Sequence, residues 1–184
     1  MRRGFTIAEL LVSVALLSII GVIFAFALRG FIASSHQGSQ RVEMETQLRE
    51  ATKRTNLTLR SAIAPSEIQT AIYAPAVGAT GPEVIFCAPA ELMDPTTPFD
   101  PRNPVYELFR IRQLAGPATL VLESVYGAAP QRVLGRQISD FQVERLADTV
   151  VTATIEGSTT IRGASGQSRT QTTQTKTSIQ LPFK

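Results

Sequence analysis

A single glutamate interrupts an otherwise apolar run near the start of the chain, and this feature most constrains the fold. The run covers residues 5–28, reads FTIAELLVSVALLSIIGVIFAFAL, and contains one charge, Glu9. A helix over this length reaches roughly 36 Å, enough to cross a hydrocarbon core of about 30 Å. Burying an ionised carboxylate at the middle of such a helix costs about 2.5–3.5 kcal/mol. The sequence therefore predicts a membrane-spanning helix whose glutamate has a compensating partner.

The charges that flank the run predict its orientation. Arg2 and Arg3 precede it and Arg29 follows it. Positive residues favour the cytoplasmic side, and an arginine at the far end can extend to the interface. The run is too long for a secretory signal core, and no A-x-A-like cleavage site follows it, so we expect the segment to be retained. Everything after Arg29 is then expected to be extracytoplasmic.

The bulk composition excludes some function classes. The formal net charge is +3, and without the two N-terminal arginines the basic and acidic residues nearly balance, so composition gives weak support for nucleic-acid binding. The only cysteine, Cys87, lies in the apolar stretch VIFCA and rules out an intrachain disulfide. We expect it to be a small buried residue and the extracytoplasmic part to be held together by packing alone.

The arrangement MRRG–FTIAELLVSVALLSII resembles the class III signal of type IV prepilins and pseudopilins. It joins a short basic leader, a Gly4–Phe5 junction, a glutamate four residues after Phe5, and a spanning apolar run. The resemblance implies cleavage between Gly4 and Phe5 by a prepilin peptidase, which then N-methylates the new amine of Phe5. It also implies that the Glu9 carboxylate meets the Phe5 amine of a neighbouring subunit. Such a pairing would offset the burial penalty and help to set the axial register of a filament.

Beyond the span, the chain continues without a helix breaker. Residues 31–64 contain no proline, and apolar residues recur there at spacings of three and four, as one stripe. The stripe consists of Met44, Leu48, Ala51, Leu59, Ala62 and Ile63, with Thr55 in its gap. The solvated face carries Arg41, Glu43, Glu45, Arg49, Glu50, Lys53 and Arg54, including the favourable pairs Glu45–Arg49 and Glu50–Arg54. The pattern predicts one continuous helix from about residue 6 to about residue 63.

The span also departs from the abundant members of the family. Major pilins often carry a proline within this helix, but this chain has none there, and Gly21 and Gly30 are its weak points, each costing about 1 kcal/mol relative to alanine. The stretch SSHQGS at residues 34–39 is a further candidate soft spot. The departure favours a minor pilin or pseudopilin over a major pilin.

The remaining residues predict a β-rich head. Residues 65–104 are rich in proline and glycine, and we expect long loops around one short strand, Glu83–Ala88. After Pro104, alternating stretches predict strands in VYELFRIRQ, TLVLESVYG, RQISDFQVERLAD, TVVTATIEG and TKTSIQLPF. The uneven phase of RQISDFQVERLAD suggests a bulge or a turn before its strand. Residues 158–173 are low in apolar side chains, and we expect a hairpin with a long flexible tip.

These elements predict an α+β fold, in which a long N-terminal helix packs on an antiparallel β-sheet head, as in pilins. The expected divisions are a leader at 1–4, a transmembrane or filament-core helix at 5–29, an amphipathic stalk at 30–64 and a globular head at 65–184. The element order and the ISDFQVER stretch are similar to those of PilW-like minor pilins and J-type pseudopilins of type II secretion.

The sequence offers no constellation for catalysis. His36 has no acid placed near it, and the chain contains no phosphate-binding loop, HExxH motif or paired cysteines. Asp94 and Asp100 are too few and wrongly spaced for a calcium loop, so we take them as ordinary loop acids. We expect no enzyme, no cofactor and no metal.

Three functions remain open from the sequence. The first is a minor pilin or pseudopilin, placed in the inner membrane and then in a type IV pilus or a type II secretion pseudopilus, including a priming role at the tip. Its expected partners are other pilin or pseudopilin subunits, the prepilin peptidase and the membrane. The second is a DNA-uptake or adhesion subunit, whose nucleic-acid contact would use Arg162, Arg169 and Lys176. The third is a membrane-anchored domain without an assembly role.

Overall fold

The computed structural model describes residues 7–66, 70–93, 105–114, 116, 118–127, 131–162 and 167–182. In these ranges one long helix is followed by β-strands, with a single 3-10 turn at Ala90–Leu92. The elements are α1 (Ile7–Arg60), β1 (Ile72–Ala74), β2 (Thr80–Gly81), β3 (Glu83–Pro89), β4 (Tyr106–Leu114), β5 (Thr119–Ser124), β6 (Arg132–Arg136), β7 (Ile138–Ala147), β8 (Val150–Arg162) and β9 (Ser168–Gln180). Asp94 and Asp100 lie outside the described residues.

The strands form two sheets. A five-stranded sheet has the order β1-β3-β4-β5-β6, and a four-stranded sheet has the order β2-β7-β8-β9. The pairs β1–β3, β3–β4, β4–β5, β5–β6, β2–β7 and β7–β8 are antiparallel. Phe86 lies opposite Phe109 in the first sheet, and Phe141 lies opposite Ile155 in the second. The fold is therefore α+β and pilin-like, as the sequence predicts.

The chain divides into two compact units. One takes the part of α1 up to Arg41 together with Thr160–Arg169, and the other takes Val42–Thr159 together with the chain from Thr170 onward. The second unit contains the hydrophobic core, to which the C-terminal part of α1 and both sheets contribute.

The amphipathic stripe of α1 is buried as predicted. Its buried members are Met44, Leu48, Ala51, Thr55 and Leu59, which recur every three or four residues along one face. The helix ends at Arg60, three residues earlier than expected, and the chain then turns into the core, where Ala62 is fully buried. The backbone amide of Ile63 there donates to the carbonyl of Cys87 at 2.9 Å.

Of the two ion pairs expected on this helix, one is present. Glu50 and Arg54 form a salt bridge between exposed side chains. The prediction of a Glu45–Arg49 pair was wrong, because Arg49 makes no ion pair with any residue that the structure describes. An exposed pair one helical turn apart is worth only about 0.3–0.5 kcal/mol, so its absence costs the helix little.

Two glycines let α1 approach both sheets at the level of their backbones. Gly135 lies in β6, and a Cβ placed there would lie 2.5 Å from the Cβ of Ala51. Gly157 lies in β8, and a Cβ there would lie 2.9 Å from Cδ1 of Leu48. A side chain at Gly135 would push the helix away, because the Cβ of Ala51 is fixed to the helix backbone, whereas a side chain at Gly157 would displace the side chain of Leu48. One helix face therefore holds the two sheets in a single core.

The structure corrects three expectations about the head. It has two sheets rather than one. Gln137, which follows β6, takes a left-handed φ of 59°, and the next strand, β7, then pairs in the second sheet. The loop region expected at 65–104 also contains β1 and β2, which are too short to give a sequence pattern. The final hairpin is longer than expected, since β8 reaches Arg162 and β9 begins at Ser168. Its threonines are β-branched and favour strand over coil.

The bulge expected near the start of β7 is confirmed, since the β7–β8 register shifts between Ile138 and Asp140. Further along β7, a buried arginine ties the two sheets together. Arg145 is 4% exposed and its Nη1 donates to the carbonyl of Ile72 in β1 at 2.7 Å, while Nη2 pairs with Asp148 at 2.7 Å. Breaking one partner of a buried charge leaves it uncompensated, so this contact fixes the relative placement of the sheets.

A charged cluster covers the face of the five-stranded sheet that points away from the core. The side chain of Glu123 is 9% exposed and accepts hydrogen bonds from Nε of Arg110 and Nε of Arg112, both at 2.8 Å, and from Gln131 at 2.9 Å. Arg110 also lies 3.7 Å from Glu83. Burial raises the pKa of Glu123, but the hydrogen bonds from Arg112 and Arg110 outweigh it, so this pKa lies below its usual value.

We predict that Gly135→Ala destabilises the head by about 2 kcal/mol, because overpacking against the α1 backbone forces a shift. Thermal unfolding of the full chain in detergent measures this. The matched control is Gly116→Ala, where an added Cβ meets no atom within 4 Å. The Gly135→Ala penalty should shrink in an Ala51→Gly background, which removes the clashing atom. An equal penalty in both backgrounds would contradict the close-packing account.

We predict that Glu123 makes the head sensitive to acid. Because its folded pKa is lowered, its contribution is complete above the unfolded value of about 4.5 and is lost as the pH falls through the folded pKa. Glu123→Gln should lower the free energy of unfolding at pH 7 by about 2 kcal/mol, since hydrogen bonds to a charged group are lost. It should also flatten the pH dependence below 4.5. Glu107→Gln, at an exposed position of β4, serves as the control and should change neither quantity.

Candidate processing and assembly segment

The predicted glutamate lies in the first turn of α1. Glu9 is exposed and lies two residues after Ile7, the first residue of α1 that the structure describes. An acidic side chain near a helix N-terminus is favoured by the unpaired backbone amides and the helix dipole there. Gly4 and Phe5, the predicted cleavage and methylation residues, lie outside the described residues. Of the three predicted residues, Glu9 is therefore the one that the structure describes.

The N-terminal half of α1 presents apolar side chains on all sides. The exposed fractions of its large apolar residues run from 82% at Ile7 to 45% at Leu28. An 18-residue window of this helix has a mean hydropathy of 2.8, and none of it is buried. A helix that is apolar all round is stable only when lipid or other protein covers it. By length and composition this segment is able to cross a membrane.

The hydroxyls within this apolar segment are paired along the helix. Ser13 Oγ donates to the carbonyl of Glu9, and Ser18 Oγ donates to the carbonyl of Val14, each at 2.8 Å. An unpaired hydroxyl would raise the cost of placing the helix in lipid, and these local bonds remove that cost.

The expected weak points do not interrupt the helix. Gly21, Gly30 and the SSHQGS stretch at 34–39 all lie within the continuous α1. A Cβ at either glycine would meet no atom within 4 Å, so neither is needed for a close contact in this chain. Glycine on an otherwise apolar surface leaves room for another helix to approach closely.

The other residues that the sequence singled out are scattered. His36 is exposed on α1, and Cys87 is buried as expected, which raises the pKa of its thiol. Lys176 lies 4.0 Å from Glu144, which partly neutralises it, and Arg169 is exposed on β9. The side chain of Arg162 is not among those that the structure describes. No group of three His, Cys, Asp or Glu side chains suited to a metal occurs in the part of the chain that the structure describes.

Sequence reasoning missed a cleft in the head. All three tyrosines of the chain border it: Tyr73 from β1, Tyr106 from β4 and Tyr126 after β5. Its volume is about 460 Å³, and Cys87 and Leu108 also line it. The tyrosines are far apart in the sequence, and only the pairing of β1 and β5 with the strands between them brings them together.

Comparison with known proteins gives a family match for the N-terminal segment. Residues 1–25 match the family model described as the prokaryotic N-terminal methylation motif. No curated protein and no solved structure matches the chain. The matched region contains the basic leader, the Gly4–Phe5 junction, Glu9 and most of the exposed apolar part of α1. The match and the long apolar helix together identify this segment as the class III signal of the type IV prepilin and pseudopilin family.

Proposed function

We propose that the protein is a minor pilin or pseudopilin, a structural subunit of a type IV pilus or of a type II secretion pseudopilus. The observation that carries the proposal is the methylation motif at residues 1–25, continued by a helix whose apolar side chains are exposed on all sides. A prepilin peptidase cuts such a motif, and the resulting subunit assembles with other pilins. The absence of proline from residues 5–28 supports a minor pilin or pseudopilin over a major pilin.

In this proposal the N-terminal residues take part in successive steps of processing. The peptidase cuts between Gly4 and Phe5, where glycine offers no side chain to obstruct the enzyme and leaves helical geometry at low cost. The freed amine of Phe5 is then methylated. Residues 5–29 remain in the inner membrane with their N-terminus in the cytoplasm, while the stalk at 30–64 and the head at 65–184 are extracytoplasmic.

Glu9 is the assembly residue of this proposal. Its carboxylate pairs with the Phe5 amine of a neighbouring subunit when the apolar helices leave lipid and pack together in a filament. In such low-dielectric surroundings an unpaired carboxylate is costly, so the pair selects one axial register over others. The position of Glu9 in the first helical turn supports this role, because it keeps the carboxylate close to the expected mature N-terminus.

Processing is tested by the intact mass and N-terminal sequence of the chain recovered from cells that contain the prepilin peptidase. We expect a mature start at Phe5 with one added methyl group. Gly4→Glu should leave the chain uncut, because its side chain obstructs the cleavage site, whereas Gly21→Ala should be processed normally. An uncut wild-type chain in the presence of the active peptidase would overturn the proposal and leave a membrane-anchored domain.

The role of Glu9 is tested by Glu9→Leu, measured as the amount of subunit in sheared filaments relative to the amount in the membrane. We expect incorporation to fall by about tenfold, equivalent to the loss of about 1.4 kcal/mol of pairing. Membrane insertion should persist, because removing the charge makes insertion more favourable. Ser13→Leu, one turn further along the same helix, is the matched control. Wild-type incorporation of Glu9→Leu would show that the pairing does not set the register.

A further inference from the structure

A groove of about 400 Å³ runs along the exposed side of α1 where the helix meets β9. Its cationic members are Arg49, Lys53 and Arg60, and Asn56 lies between them. These spacings of four, three and four residues place all of these side chains on one helix face, over a length of about 16 Å. Thr52, Leu57 and Thr175 complete the described lining, in which no residue is acidic, and we call this site the basic groove.

Among the described residues, the cations of the basic groove have no partner of opposite charge. Arg49, Lys53 and Arg60 make no ion pair or side-chain hydrogen bond within the described ranges. Other arginines of the same compact unit are paired: Arg54 with Glu50, and Arg110 with Glu123. The basic groove is therefore a site where an anionic surface gains three attractive contacts without breaking existing ones.

A complementary surface lies on the face of the four-stranded sheet that points away from α1. Asp140 and Glu144 in β7 and Glu156 in β8 form it, and we call it the acidic face. Asp140 lies directly opposite Glu156 in the β7–β8 register, an arrangement in which like charges destabilise a sheet. Asp140 has no cationic partner among the described residues, and only Glu144 is near one, Lys176 at 4.0 Å. A cation from outside would relieve this repulsion.

The two surfaces lie on opposite sides of the same sheet. Thr175 of β9 lines the basic groove, whereas its neighbour Gln174 lines a cleft of about 320 Å³ together with Asp140 and Glu144. Successive side chains of a strand point to opposite faces, so one chain cannot join its own two surfaces. Their lengths are similar, since Asp140 and Glu144 are four strand residues apart, or about 13 Å, against about 16 Å for the groove.

We propose that the basic groove of one copy binds the acidic face of a second copy of this chain. The contact is head-to-tail and uses two different surfaces, and such heterologous contacts produce open, helical assemblies when the rotation between copies does not close a ring. The inference rests on the proposed function, since it supplies the heads of adjacent subunits with a contact that is separate from the Glu9 pairing. Lys53 faces Asp140 and Glu156 in this contact, where two carboxylates stand directly opposite each other.

The test uses the full chain in detergent, produced with the prepilin peptidase. Isotopically heavy and light chains are mixed and treated with a carbodiimide, which joins a lysine amine directly to a carboxylate in contact with it. We expect heavy–light cross-links between Lys53 and Asp140 or Glu156, which only an intermolecular contact produces. Their yield should fall by about tenfold as salt rises from about 0.05 to about 0.5 M, because partly exposed charges are screened.

Charge reversal makes the test specific. Lys53→Glu combined with Arg49→Glu, and separately Asp140→Lys combined with Glu156→Lys, should each weaken self-association by about tenfold or more. Mixing the two doubly reversed chains should restore association to within about threefold of wild type, because opposite charges face each other again. Arg136→Glu and Glu107→Lys are matched reversals at exposed positions outside both surfaces and should have no effect.

The outcomes separate this inference from the proposed function. The intact mass of the same samples reports processing at Gly4, which the reversed chains should undergo like wild type. Processed chains that give no heavy–light cross-link, or whose reversals do not complement each other, overturn the head contact and leave the pilin assignment intact. Unprocessed chains that still cross-link between Lys53 and Asp140 support the contact and overturn the filament role.

Discussion

The head depends on the close contact between one helix face and two sheets. Ala51 and Leu48 of α1 lie against Gly135 and Gly157, so the helix reaches the backbone of a strand in each sheet. The largest buried side chains, including Phe86, Phe109 and Phe141, then pack around this line of contact. Both sheets and the C-terminal part of α1 contribute side chains to this one core, so removing the helix would expose apolar surface of both sheets.

The same helix meets two environments that its sequence distinguishes. Between Met44 and Leu59 the apolar side chains occupy one stripe and are buried by the head. Between Ile7 and Ile32 they surround the helix and are exposed in the isolated chain. The described residues do not cover this second pattern, and a helix that is apolar all round is stable only when lipid or other protein covers it. The match to the methylation motif, over residues 1–25, begins before that segment and covers most of it.

The parts of the fold that depend on local spacing were predictable. The stripe of α1 followed from a period of three to four residues, and the strand at Glu83 followed from a short apolar stretch between segments rich in proline and glycine. Arg145 was not predictable, because its partner is a backbone carbonyl 73 residues away, and nothing near an arginine in a strand marks it as buried. Glu123 was missed for the same reason, since its two arginines lie on another strand.

The candidate sites divide in the same way. Gly4, Phe5 and Glu9 lie within the 25 residues that match the methylation motif, so the local sequence alone indicates them. The basic groove instead requires Thr175 to lie beside the face of α1 that carries Lys53. The sequence assigned Lys53 to a solvated face, which is correct, but it gave no sign that Asp140 and Glu156 stand opposite each other.

The small buried area of the last strand, β9, affects where the head unfolds locally. The side chains of β9 that alternate toward α1 are Gln171, Thr173, Thr175 and Thr177, and they are only half-buried, so Ile179 is the single fully buried residue of the strand. β9 is also an edge strand, with β8 as its one neighbour in the sheet. Little apolar area holds it in place, and local opening costs least where such area is smallest. Together with the two-residue β2 at the opposite edge, the strand that borders the basic groove is therefore among the first parts of the four-stranded sheet to separate in a fluctuation, while β7 and β8 remain paired.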